Sequence, residues 1–190
     1  DRQQPVEAIR ALNDALAVAE KSKDRRLKGF VVNDLGAIYF EQADFSKARE
    51  FLNQALAVRR EIGDKRGEAE TLMHLGVLEF QAKNYDAAGR EFEGSITLAQ
   101  AIGHPETLWR AEFGKARVLR EQGKKGDAVA VLADAVEVIE GIRRSVAPNT
   151  LADTLFFENK QSVYELLVQL LIETGDSEKA YEYLERSKSK

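Results

Sequence analysis

The stretch from Leu35 to Leu56, LGAIYFEQADFSKAREFLNQAL, returns forty residues later as LGVLEFQAKNYDAAGREFEGSI, from Leu75 to Ile96. A chain that repeats itself at a fixed period is confined to architectures in which one unit stacks on the next. Four alanines mark the period: Ala8, Ala48, Ala88 and Ala128 fall at a spacing of 40. Four residues after each come Leu12, Leu52, Phe92 and Leu132, and three further on come Ala15, Ala55, Ser95 and Ala135. Another copy, Ala180, Leu184 and Ser187, follows after 52 residues. Upstream of the alanines runs a second register: Val32, Leu35, Gly36, Tyr39; then Leu72, Leu75, Gly76, Glu79; and last Tyr164, Leu167, Val168, Leu171.

Spacings of three, four and seven are helical, so each period holds two helices. Small residues (Gly36, Gly76, Ala48, Ala88) let the two approach closely, and the large ones fill the space between layers. Only 3 Pro and 13 Gly interrupt the chain, which favours long helices over many short strands. Turn signals sit where helices must reverse: QADFS, AKNYD, QGKKGD and ETGDS. Asp44, Asn84 and Asp176 suit turn or cap positions, because their side chains can bond free backbone amides. Pro105 and Pro148 mark helix starts or breaks.

This register resembles the tetratricopeptide repeat, W-x2-L-G-x2-Y followed by A-x3-F. The resemblance implies an all-α fold, a right-handed solenoid of antiparallel helix pairs, over a single array spanning residues 1–190. The expected layout is a helix at 5–20 from a truncated repeat, repeats at 24–62, 64–102 and 105–144, and an irregular last repeat at 150–188 with a long first helix at 150–174. The period exceeds the usual repeat by about six residues. The added residues extend the second helix, as in ALAVRREIGDKRG. This longer form is similar to the repeats of kinesin light chain, of spindle-orientation adaptors, and of bacterial regulators with an effector domain. The chain opens on a second-type helix and stops within LERSKSK, so it reads as a piece of a longer protein.

The tail, from Arg143 to Lys190, breaks the rhythm. Phe156, Phe157, Tyr164, Leu167, Leu171, Tyr181, Leu184, Glu185, Arg186 and Ser187 resemble the closing section of arrays that precede a CHAT domain, a caspase-like module. A degenerate repeat with a long linker is the alternative. The resemblance implies an effector domain downstream, and its catalytic His and Cys would lie beyond Lys190.

Composition removes several kinds of chemistry. There is no Cys, hence no disulfide, thiolate metal site or cysteine nucleophile. No apolar run of about 18 residues exists, so no membrane span is expected. The net charge is −4, with Lys and Arg interleaved among Asp and Glu, so no basic stripe points to nucleic acid. His74 and His104 stand apart in the repeat frame and read as structural or solvated. GKKGD at 123–127 lacks the spacing of a phosphate-binding loop and reads as a turn. No catalytic constellation, cofactor or metal is expected, and the setting is expected to be cytoplasmic.

What remains is the concave groove that such a fold implies. Its first helices would present Phe30, Asn33, Ala37 and Phe40; then Glu70, Met73, Val77 and Phe80, with His74 beside them; then Arg110, Phe113, Arg117 and Arg120; and last Ser162, Glu165, Gln169 and Ile172. Asn33 and Gln169 suit the backbone of an extended peptide. Phe40, Met73, Val77 and Phe80 offer apolar contact; core packing is the alternative for Met73, Val77, Phe80 and Phe113. Arg110, Arg117 and Arg120 share a helix face and suit a carboxylate; a plain solvated face paired to Glu112 and Glu121 is the alternative. Trp109 with Phe113 reads as packing between repeats. The chaperone-type carboxylate clamp does not fit: Asn33, Ala37 and His74 stand where it needs Lys, Asn and Asn, and only Arg110 matches. The expected function is therefore a protein-interaction module for a peptide or partner helix, the sensor arm of a multidomain protein. A self-associating scaffold is the other reading, through an exposed face of Val6, Ile9 and Leu16.

Overall fold

The computed structural model describes residues 3–145 and 160–188, with side chains from residue 6. Among the described residues there are nine helices and no strand: α1 (Gln3–Ser22), α2 (Arg25–Glu41), α3 (Phe45–Glu61), α4 (Lys65–Gln81), α5 (Tyr85–Ile102), α6 (Pro105–Glu121), α7 (Lys125–Ser145), α8 (Gln161–Glu173) and α9 (Ser177–Lys188). The expected long helix of the last repeat is seen only from Gln161 onward. Phe156, Phe157 and Pro148 lie outside the described residues. Pro105 opens α6, where its missing N–H costs nothing.

One backbone device recurs at every described reversal between successive helices. Lys23, Ala43, Gly63, Lys83, Gly103 and Gly123 all have positive φ, at a spacing of 20, and Gly175 repeats it later. At Ala43 the turn is closed by Ala43 N–H to Phe40 O and Asp44 N–H to Tyr39 O, both at 2.9 Å. The same pair of bonds recurs at Gly63, Lys83, Gly123 and Gly175, satisfying carbonyls at the helix end. The next residue then caps the following helix. Asp24, Asp44, Asp64 and Asp176 accept from the backbone N–H groups of Leu27, Lys47, Gly67 and Lys179. Asn84, expected at a turn or cap, stands in the turn before α5, where its side-chain N–H donates to Glu79 at 2.7 Å.

The chain divides into two compact units, residues 1–102 and 103–190. In the first, Ala48, Leu52, Leu56, Leu72, Leu75 and Leu78 form a buried cluster. The glycines of the repeat sit where helices touch. A Cβ on Gly36 would come within 2.8 Å of Leu52, and one on Gly76 within 2.7 Å of the Phe92 ring. Ser95 replaces alanine at a fully buried position because its hydroxyl donates to Ala69 O at 2.8 Å. In the second unit, Ala128, Leu132, Ala135 and Ile139 of α7 meet Val163, Leu167 and Leu170 of α8 in one core. The outer copies of the pattern are open. Ala8, Leu12 and Ala15 are half-buried, Leu184 is exposed, and so are Val6 and Tyr181. Ile9 and Leu16, expected to be exposed, are half-buried.

Candidate functional site

In the second unit, α6 and α8 both pack on α7, and a cavity of about 230 Å³ opens between them. Phe113, Arg117 and Arg120 line it from α6; Ser162, Glu165, Leu166 and Gln169 line it from α8. On each helix the spacings of three and four place these residues on one face. Leu166 comes from the apolar run VYELLVQLL, where burial hides its part in the wall; it is buried and forms an apolar floor with Phe113. Arg117 lies over the Phe113 ring, 5.8 Å from its centroid. Burial, and then the like charge of Arg120, hold the Arg117 guanidinium below its usual range. Arg120 reaches Glu121 at 3.0 Å, Glu165 accepts from Gln161 at 2.9 Å, and Gln169 donates to Glu173 at 2.8 Å.

Arg110 is not part of this wall. It is exposed, pairs back to Glu106 at 2.9 Å, and lies over Trp109. Ile172 is exposed at the far end of α8 and does not line the cavity. Trp109 is buried in the core of its own unit, with Lys160 also over its ring at 5.4 Å. Its indole Nε1 has no hydrogen-bond partner among the described residues, and neither has one oxygen of buried Glu112. Burial, with the nearby charge of Asp134, pushes the Glu112 carboxyl up to about 7.

In the first unit, the predicted residues occupy α2 and α4. Asn33 is buried, with its side-chain oxygen 3.4 Å from His74 Nδ1 and 3.5 Å from the Thr71 hydroxyl. Met73 is a core residue. Val77, Phe40 and Phe80 are half-buried, and each of the two phenylalanines tilts against the aromatic that opens the next helix, Phe45 and Tyr85. Phe30 is half exposed, Ala37 is half-buried and Glu70 pairs with Arg66. Beneath this face is a network that sequence reasoning missed. Buried Arg59 donates to Gly67 O and to Thr71, and lies over the Phe30 ring at 5.6 Å. Gly67 leaves room for it, since a Cβ there would meet Arg59 at 2.7 Å. Arg49 of α3 forms a two-pronged pair with Glu79 of α4, and the hydrogen bond from Arg49 holds the Glu79 carboxyl below its usual range. Glu79 stands at the repeat's Tyr position, and that mismatch was the available signal. His104, from the IGHP turn, caps α6 through Thr107. Among the described residues no helix is long and apolar enough to cross a membrane.

Two family models described as tetratricopeptide repeat match the chain, over residues 1–61 and 161–189. No curated protein matches it. Among solved structures it is similar to the apo form of RapI, with TM-score 0.79 at 14% identity, covering 98% of this chain and 64% of that one. It is similar to a putative kinesin light chain from Podosopora anserina with nearly identical repeats, with TM-score 0.69 at 16% identity, covering 98% and 87%. It is also similar to the Rap conjugation gene regulator of the plasmid pLS20 in complex with the Phr* peptide, with TM-score 0.65 at 15% identity, covering 95% and 48%. The chain thus spans about two thirds of RapI and about half of the plasmid regulator. At these identities the likeness is one of fold. The helix pairs, the family matches and the structural likeness agree on an all-α solenoid of tetratricopeptide repeats.

Proposed function

We propose that this tetratricopeptide-repeat array works by binding, as a non-enzymatic protein-interaction module that recognises a peptide or a partner helix. The observation that carries the reading is the cavity between α6 and α8, where an apolar floor of Phe113 and Leu166 stands beside guanidinium, hydroxyl, amide and carboxylate groups. A few placed polar groups around an apolar floor give orientation and affinity together. The α2–α4 face of the first unit carries candidate contacts of its own, His74, Val77 and Phe40. The peptide complex of the plasmid regulator supports the reading, because that protein shares the fold and holds a peptide. Panning a displayed library of random dodecapeptides on the chain tests it. An enriched peptide, made synthetically, should shift backbone amide resonances of α6 and α8. No enrichment, or shifts confined to other helices, would defeat the reading.

The same array, in this reading, is the sensor arm of a larger protein whose effector follows it. The tail around Tyr164, Leu167, Leu184 and Arg186 supports this through its resemblance to arrays that precede a CHAT domain. The greater length of RapI and of the plasmid regulator is consistent with an array embedded in more chain. Reading the parent gene past Lys190 decides it. A caspase-like domain there upholds the sensor arm; its absence leaves an adaptor. A self-associating scaffold is the second reading, favoured by Val6 and Val18, which are 65% and 59% exposed on α1. Light scattering over a range of concentrations separates the two, since a monomer throughout removes the scaffold.

A further inference from the structure

Of the helices described in its unit, α6 packs extensively on α7 alone, whereas α7 is also held by α8, and α8 by α9. What lies between α6 and α7 therefore decides how firmly the α6 wall of the cavity is seated. At that contact the repeat departs from its own pattern. Glu112 stands forty residues after Leu72 and eighty after Val32, at a place those two fill with buried apolar side chains. Asp134 stands forty residues after Gly94, which lies against Leu72: a Cβ on Gly94 would be 3.3 Å from the leucine side chain. The place that holds a leucine against a glycine in one repeat holds two carboxyl-bearing residues in the next.

Glu112 is 5% exposed, and one of its oxygens has no hydrogen-bond partner among the described residues. The charged group that bears on it is Asp134 of α7, of like sign. Ahead of α8, Lys160 lies over the Trp109 ring and within 3.8 Å of Glu106, and the Tyr164 hydroxyl of α8 donates to Glu140 of α7. On α6 itself, Arg110 pairs with Glu106. An ionised carboxylate buried without a partner is costly, so the group either stays neutral or moves to water. Glu112 rides on the helix that one neighbour holds, and its route to water is for α6 to part from α7.

We propose that Glu112 is a proton-operated catch: in its neutral form it seats α6 on α7, and its ionisation beside Asp134, the proton passing to solvent, lets α6 lift and carry with it the Phe113, Arg117 and Arg120 wall of the cavity. The catch goes beyond the binding reading and does not depend on it. The wall is firm in mildly acidic surroundings and slackens in alkaline ones.

Trp109, three residues before Glu112, is buried and is the single tryptophan of the chain, so its fluorescence reports on this contact. Emission of the full chain is followed from about pH 5 to 8.5, and amide exchange, corrected for its intrinsic rate, is measured at both ends. Emission should titrate with a midpoint of about 7. Exchange along α6 should rise roughly ten- to a hundredfold across the range, with α4 and α5 unmoved. E112Q, checked for folding by circular dichroism, should remove both effects. D134N, at an exposed position, keeps the acid and removes the like charge, and should shift the midpoint down. No titration in this range, or one that survives in E112Q, as His104 would give, overturns the inference. So does a titration without faster exchange in α6, which means that Glu112 ionises in place. A rise shared by α4 and α5 overturns it too, because the whole fold is then loosening. Each of these outcomes leaves peptide binding standing.

Discussion

Lys83 holds a φ of 61° in the turn between α4 and α5, where the equivalent turns at 63, 103 and 123 use glycine. A residue with a Cβ is strained by about 1–2 kcal/mol in that conformation. K83G should therefore stabilise the chain by roughly 0.5–1 kcal/mol, net of the extra freedom that glycine gives the unfolded state. The shift of a urea midpoint measures it. Gly76 is the opposite case. Alanine there gains helix propensity of about 1 kcal/mol, but its methyl meets the ring of Phe92, which is 1% exposed. Overpacking a closed core costs about 1–3 kcal/mol, so G76A should be destabilising, and F92L should recover part of the loss in the double variant. The two positions could be told apart by register alone: Lys83 repeats with the turns, Gly76 with the Leu-Gly pair of the first helix.

Among the helices, α6 and α9 each carry a feature that the repeat pattern leaves unexplained. In α6, Glu112 occupies a buried position where the equivalent residues are Val32 and Leu72. Its carboxyl is raised from the ordinary 4.5 to about 7, chiefly by burial. The folded state therefore holds the proton more tightly than the unfolded one. The stability this gives is full below about pH 4.5, declines as pH rises toward 7, and is gone above that. E112Q should then be neutral near pH 4.5 and stabilising by roughly 1–3 kcal/mol at pH 8, as followed by urea melts at both values. At the other end, α9 has a short apolar face and is held by charge. Arg186 reaches Glu140 at 2.9 Å and Glu137 beside it, and Tyr164 of α8 donates to Glu140 at 3.2 Å. Burial works to raise the Glu140 carboxyl, and the hydrogen bond from Arg186 overrides it, leaving it below the usual range. Removing one partner of a part-buried network leaves the others unpaired. R186Q should speed amide exchange across 177–188 by roughly ten- to a hundredfold, about 1.5–3 kcal/mol, while α8 stays protected.

Across the molecule, a net charge of −4 sits alongside a cavity lined by the charged groups of Arg117, Arg120 and Glu165. Peptide binding there should weaken as salt rises, because the attraction passes through partly exposed groups; a titration at 0.05 and 0.5 M salt checks it, and a flat response would place the affinity in the apolar floor. Much of this was legible in the residues. Alanines at a spacing of 40, a Leu-Gly pair and few breakers determine helix pairs, because a helix face must bury itself at a period near 3.6 and a pair must bury itself against its neighbour. The same register pointed to Phe113, Arg117, Arg120, Ser162, Glu165 and Gln169, all of which share one cavity. It could not separate Arg110 from the other two arginines, since a helix face does not say whether Glu106 or a cavity lies beside it. It gave no sign that Arg59 would be buried on Thr71 and Gly67, nor that Leu52 would be fully enclosed while Leu184 stands open at the equivalent place. Periodicity alone established which residues share a face. Which of those faces are covered, and by what, is decided only by packing, because burial depends on neighbours that lie far away in sequence.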